Sequence, residues 1–361
     1  MIEIVIGIGV LLVIAILFAL FRVYTLINVS KGSNKNKVGT GNKVNAYLFL
    51  VFLIFFGGLF FWYSYVNFDK YDVPIASEHG ILIDDMFWLT MWITGAVFVI
   101  THILLFVFAF RYRHKEKASA YFYPDNAKLE VFWTVVPATV LALLVLSGLT
   151  AWNTITADAP DDAEVVEIMG YQFAWSVRYP GKDNQLGKSD YRLIDASNQF
   201  GMDFTDRASF DDFIPREIHV PKGKPVLLKI RARDVLHSVF APHFRLKMDA
   251  VPGMPTRFWF VPNKTTEEMR EELGDPDFNY EIACAEVCGR GHFSMRMVIV
   301  VDTPEEYEKW KSEQEPWLSR NPDYLAKVPS NMKELAIATA GIEDENSDEF
   351  IKESIEVNAS F

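Results

Sequence analysis

Four long apolar runs fill the first 152 residues of this 361-residue chain, and no other feature narrows its possible folds as far. They cover about residues 2–27, 45–66, 87–110 and 131–152. A helix that crosses a hydrocarbon core of about 30 Å needs about 20 mostly apolar residues, so each run is long enough to span a membrane. Aromatic residues sit near the ends of the third and fourth runs, as interfacial belts do. The remaining 200 or so residues are mixed and acidic. A chain that is half hydrophobic yet 23% charged is therefore a membrane part joined to a water-exposed part.

Loop charge assigns the sides of the membrane. The first connection carries Lys31, Lys35, Lys37 and Lys43, and the third Arg111, Arg113, Lys115, Lys117 and Lys128. The second carries Asp69, Asp72, Glu78, Asp84 and Asp85 against Lys70. Cytoplasmic loops are enriched in Lys and Arg, so the first and third are inside; the N-terminus and everything after residue 152 are outside. A cleaved signal peptide has basic residues ahead of its apolar run; here Glu3 precedes it and the lysines follow, which favours a retained span. His102, inside the third run, reads as an imidazole hydrogen-bonded within a helix bundle. Glu130 opens the fourth run as an ordinary interfacial carboxylate, and Pro137 predicts a kink further in.

Past residue 152 the pattern turns to short strand-like runs broken by Gly, Pro, Asn and Asp. Residues 164–179 read as a pair of strands, followed by strands at 217–221, 225–233, 238–242, 256–262, 278–287 and 295–302. Several short strands at this spacing predict a β-sandwich or barrel. Residues 181–214 form an Asp-rich insertion with little periodicity, 304–336 look helical, and 341–361 form an acidic tail. The net charge of −12 argues against nucleic acid and favours a basic partner.

The chemistry concentrates in 284–295, CAEVCGRGHFSM, which holds both cysteines of the chain. Thiolate, thioether and imidazole together suit copper. Cys288, His292 and Met295 come from one loop, and His237 in RDVLHSVFAP offers a second imidazole. A mononuclear site needs one thiolate. Cys284 supplies a second, so that two sulfurs bridge two metals, each holding one histidine. Met295 would be the weak outer ligand of one, and a backbone carbonyl, that of Glu286, the other's. A Cys284–Cys288 disulfide and a structural zinc are the competing readings of the spacing. His243 reads as structural or outer-shell, and His219 as a strand histidine.

With these residues in view, the chain resembles subunit II of the haem–copper cytochrome c oxidases. Cys284, Glu286, Cys288, His292 and Met295 match the motif C-x-E-x-C-x3-H-x2-M; DVLHS (234–238), LKMDAVPG (246–253) and LEVFWTVVP (129–137) match in the same order. The resemblance covers about 83–310. It implies a two-helix membrane hairpin, here preceded by the first two of the four transmembrane helices, and an all-β cupredoxin-like domain, with two copper ions (the dinuclear CuA centre) on His237, Cys284, Cys288, His292, Met295 and the Glu286 carbonyl. It implies a magnesium or manganese ion on the Glu286 carboxylate, shared with the catalytic subunit, and a proton-channel mouth at Glu130. Implied partners are the haem-bearing catalytic subunit I, other oxidase subunits, membrane lipid and a c-type cytochrome donor. The implied location is a bacterial inner membrane, with the copper domain on the periplasmic side.

The segments divide as 1–82, two additional helices; 83–153, the family's hairpin; 154–303, the copper domain; and 304–361, a C-terminal extension. The chain departs from the family at GYQFAW (170–175), where Phe173 replaces the tryptophan that receives the incoming electron. Trp175 or Tyr171 are the alternatives to Phe173 for electron uptake. The twelve acids and five basic residues between 158 and 212 are enough to attract a cationic cytochrome, or else form a solvated loop. There is no C-x-x-C-H haem motif, so the donor is a separate chain. The alternatives are a quinol-oxidase-type subunit II, against which the thiol motif speaks, and a copper-binding membrane protein without oxidase activity. Nitrous-oxide reductase, which shares the copper motif, would need a propeller where the helices lie.

Overall fold

A computed structural model describes residues 2–30, 39–116 and 118–342. Lys31, Lys35, Lys37, Lys117 and the acidic tail after residue 342 lie outside the described residues. The chain divides into two compact units, Met1–Asp72 with Trp88–Ala142, and Val73–Phe87 with Leu143–Phe361.

The first unit is helical, and its last two helices include residues of the second, 78–87 and 143–155. Helices α1 (Ile2–Ser30) and α2 (Thr40–Val66) precede a single turn, α3 (Phe68–Tyr71). Helices α4 (Glu78–Arg111) and α5 (Ala127–Ile155) follow. All four long helices are long and apolar enough to cross a membrane. Their side chains are exposed in the isolated chain, as those of lipid- or subunit-facing helices are. Glu78, Asp84 and Asp85, expected in a loop, lie in the first two turns of α4. Acidic residues suit a helix start, because they face its free N–H groups. His102 donates from Nδ1 to the Phe98 carbonyl one turn back, at 2.8 Å.

Among the described residues, the second unit is built on nine strands. These are β1 (Glu164–Tyr171), β2 (Ala174–Arg178), β3 (Ile218–Pro221), β4 (Val226–Ala232) and β5 (His237–Ala241), then β6 (Leu246–Ala250), β7 (Thr256–Phe260), β8 (Tyr280–Cys284) and β9 (Arg296–Asp302). One sheet has the order β2-β1-β4-β7 and the other β3-β9-β8-β5-β6. Among the described strands, β1–β4 and β3–β9 pair in parallel and the other neighbours antiparallel. The core lies between the sheets, where alternate residues such as Val166, Ile168, Leu228, Ile230, Val239, Ile282 and Ile299 are buried together. This is the aligned two-layer packing that period-2 patterning produces. Helix α6 (Thr266–Leu273) starts at a Thr265/Glu268 capping box and stops at left-handed Gly274. The expected helical stretch after 304 is broken into α7 (Pro304–Ser312), α8 (Trp317–Arg320) and α9 (Lys333–Ala340).

Strand β1 is buried on both sides. Val166 and Ile168 enter the main core, whereas Met169 enters a second one with Phe200, Phe204, Phe210, Trp317, Leu318 and Leu325. The Asp-rich insertion is therefore not a solvated loop; it folds together with the C-terminal extension. Arg178 anchors it, fully buried, between Glu167 at 2.6 Å and Asp212 at 3.0 Å. The strap 73–87 is also fixed to the β-domain. Arg245 holds both Asp84 carboxylate oxygens at 2.8 Å and the Val73 carbonyl at 2.8 Å. His243 donates from Nδ1 to the Pro74 carbonyl at 2.9 Å, a structural role. His219, on β3, pairs with Asp302 at 2.7 Å and stacks on Trp310.

Candidate metal centre

Two elements of the five-stranded sheet bring the donors together. His237 is the first residue of β5, and Cys284 is the last of β8. Antiparallel pairing sets Val239 opposite Cys284, so the two chain ends meet at one edge of the core. The loop 285–295 then joins β8 to β9. It is closed at its base by the Cys284 N–H donating to the Met295 carbonyl at 3.2 Å, and tied to β5 by the Ala285 N–H on the Ser238 carbonyl at 3.0 Å.

Both cysteines are free thiols, with Sγ atoms 3.9 Å apart. His237 Nδ1 lies 3.9 Å from Cys284 Sγ, and His292 Nδ1 lies 3.7 Å from Cys288 Sγ. The Glu286 carbonyl is 3.2 Å from Cys284 Sγ, and Met295 Sδ is 3.3 Å from Cys288 Sγ. Each sulfur thus has one imidazole and one weaker donor of its own. Among the described residues, His237, Cys284 and Cys288 form the group whose ligand atoms all lie within 4.8 Å of one another. Three sulfurs, one a thioether, with two imidazoles are a soft donor set that fits copper; thioether does not suit zinc. Burial, followed by the neighbouring Cys284 charge, pushes the Cys288 thiol up to about 11. Its proton must therefore leave when a metal binds.

The β1–β2 turn covers this loop. A side-chain carbon on Gly289 would lie 2.9 Å from the Phe173 ring, and one on Gly291 2.5 Å from it, so the ring rests directly on both glycines. Gly289, with φ +130°, also needs the freedom that only glycine has. Gly170 makes similar room: an added carbon would come within 2.9 Å of His237 and 2.8 Å of Trp175.

The structure separates the three aromatic candidates. Trp175 is buried, edge-on to the His237 ring at 5.8 Å. Phe173 is 39% exposed above the ligand loop. Tyr171 lies under the Arg233 guanidinium at 4.4 Å. Val287 and Phe293, both in the ligand loop, are 81% and 84% exposed. Glu130 lies in the other unit, in the first turn of α5, where its carboxylate accepts from the Asn126 N–H at 3.2 Å.

Three polar residues at the site escape sequence reasoning. Asp234 accepts from His237 Nε2 at 2.9 Å and from the Gln172 N–H at 2.8 Å. Gln172 Nε2 donates to the Cys288 carbonyl at 2.6 Å. Ser238 donates to Asp249 at 2.7 Å. Burial acts to raise the Asp234 carboxyl, but the Gln172 N–H, the His237 ring and the Val235 N–H outweigh it and hold it below its ordinary value. The local cue was DVLH, an acid three residues before a ligand histidine.

A two-sheet β-domain with a histidine and a cysteine from two inner strands and the other donors from a late loop is a cupredoxin-type metal domain, here continuous with membrane-spanning helices. The family model for cytochrome c oxidase subunit II, periplasmic domain, matches residues 164–302, and that for its transmembrane domain matches 61–150. The alternative cytochrome c oxidase subunit 2 of Bradyrhizobium diazoefficiens is 37% identical over 243 residues, covering 67% of this chain and 83% of that protein. Cytochrome c oxidase subunit 2 of Thermostichus vulcanus is 29% identical over 264 residues, covering 65% and 76%. Among solved structures, the periplasmic domain of subunit II (CoxB) of Bradyrhizobium japonicum aligns with 42% of this chain and 94% of that chain, at 24% identity and a TM-score of 0.29. The chain belongs to the cytochrome c oxidase subunit II family. It is a membrane protein carrying that family's periplasmic domain.

Proposed function

We propose that this chain is the electron-input subunit of a proton-pumping cytochrome c oxidase. The observation that carries the reading is the paired arrangement of two free thiols 3.9 Å apart, each with its own imidazole. His237, Cys284, Cys288, His292, Met295 and the Glu286 carbonyl would hold two copper ions. When bound, such a pair supplies a one-electron redox centre between a c-type cytochrome and the haem of the catalytic subunit, where oxygen is reduced. The chain's own part is to hold the donors still. Strands β5 and β8 fix His237 and Cys284, the closed base of the loop fixes Met295, and burial of His237, Cys288 and Met295 keeps water out.

Phe173 is the residue assigned to electron uptake, because it alone of the three aromatic candidates combines exposure with contact to the ligand loop. Trp175 supports His237 from inside. The Glu286 carboxylate is assigned to a magnesium or manganese ion shared with the catalytic subunit. Glu130 is assigned to the mouth of a proton channel. The assembly would lie in a bacterial inner membrane, with other oxidase subunits around α1 and α2. A separate cytochrome, drawn by the acidic insertion, would be the donor.

The test is rapid reduction of the purified oxidase by a c-type cytochrome. Cys288→Ser is expected to lose copper and abolish reduction. Phe173→Ala is expected to slow uptake and Trp175→Phe to change it less. Full reduction by the Cys288→Ser enzyme at the wild-type rate would refute the function. A larger effect of Trp175→Phe would move uptake to the buried indole.

A further inference from the structure

We infer that Asp234 makes the two halves of the metal centre inequivalent: its carboxylate orients the His237 imidazole and places negative charge directly behind that ligand, while His292 has no such partner among the described residues. This rests on the dinuclear copper reading proposed above and deepens it.

The two histidines stand in different surroundings. His237 is fully buried, whereas His292 is partly exposed. With Nδ1 turned to Cys284, the Nε2 of His237 is left to carry the proton, and it meets Asp234 Oδ1 at 2.9 Å. The tautomer is thus set by the carboxylate, the device by which outer groups orient metal-binding histidines and raise their basicity. Among the described residues, the His292 ring contacts Cys288 and no carboxylate.

Asp234 is itself held from three directions. Its Oδ1 also accepts from the Val235 N–H at 2.7 Å, and its Oδ2 from the Gln172 N–H at 2.8 Å. Gln172 then reaches the Cys288 carbonyl at 2.6 Å. One hydrogen-bonded chain therefore runs from the His237 ring, through Asp234 and the β1–β2 turn, to the backbone of the second cysteine. Asp234 is a positioning residue: it contacts a ligand rather than the metal position. A carboxylate behind one ligand stabilises the more positive, oxidised state at that side, so its charge lowers the tendency of the centre to take an electron.

The test uses the full chain within the purified oxidase and three variants. Asp234→Asn keeps an oxygen to accept from His237 but removes the charge. It is expected to retain copper and to shift the reduction equilibrium about tenfold toward the reduced form, about 59 mV for one electron. Asp234→Leu removes the hydrogen bond too, and is expected to surrender copper to a chelator 10- to 100-fold more readily, the usual cost of losing such a partner, about that range. Glu281→Gln removes a carboxylate that pairs with Arg296 and lies outside this chain of bonds; it is expected to leave both properties unchanged. Equal shifts for Asp234→Asn and Glu281→Gln would overturn the inference, since a diffuse field would explain them. Wild-type copper retention by Asp234→Leu would overturn it as well. Absence of a two-copper signal in the wild-type enzyme would instead defeat the proposed function.

Discussion

Gly291 decides whether the ligand loop can accept its aromatic cover. A methyl group there would sit 2.5 Å from Phe173 Cγ, far inside contact distance, and the ring has the β1–β2 turn behind it. Gly291→Ala should therefore cost about 1–3 kcal/mol, the range for overpacking a tight site, read as a lower melting temperature of the β-domain. The double variant with Phe173→Ala should recover most of that loss, because the opposing ring is gone. The ligands themselves were legible because Cys284, Cys288, His292 and Met295 crowd into one short motif. Their supports were not. Gln172 reaches its partner Cys288 across 116 positions, a distance at which sequence spacing carries no signal.

The elements that most exceed expectation are the insertion and the C-terminal helices. Phe200, Phe204 and Phe210 are scattered among aspartates, and the groups they pack against, Trp317, Leu318 and Leu325, come more than a hundred residues later. Neither segment shows a buried face alone. By contrast, alternation within β3, β4 and β9 was visible because each strand carries its own inward residues. Strand β6 was missed because Lys247 and Asp249 leave too few apolar positions in five residues. Trp317→Ala should cost about 3–5 kcal/mol in the local stability of this second core. Hydrogen exchange should then rise across 181–214 and 313–342, with copper content unchanged.

The same module should respond to pH. Arg178 is shared by Glu167 and Asp212, and burial, working against the Arg178 charge and the Gly187 N–H, pushes Asp212 up to about 8 from 3.8. The folded state thus favours the protonated form. Its stabilisation is complete below the unfolded value of 3.8 and is lost as pH rises through about 8. Exchange protection in 181–214, taken relative to the base-catalysed rate of free amides at each pH, should be lower at about pH 9 than at about pH 6, and Asp212→Asn should flatten the difference. An unchanged pH dependence in that variant would remove Asp212 from the account.

For the whole molecule, the division into apolar helices and an acidic β-domain follows directly from where the apolar residues lie, and both units form as that division requires. What the β-domain contributes is a rigid edge on which two thiols, two imidazoles and two weaker donors converge. Electron input through this domain requires that convergence to hold two metals and not one. Electron paramagnetic resonance of the oxidised enzyme, with copper counted on the same sample, tests this most directly. The account predicts two coppers in the β-domain and hyperfine structure from one electron shared over both nuclei. A single copper with one-nucleus splitting, or an S–S bond between Cys284 and Cys288, would contradict it.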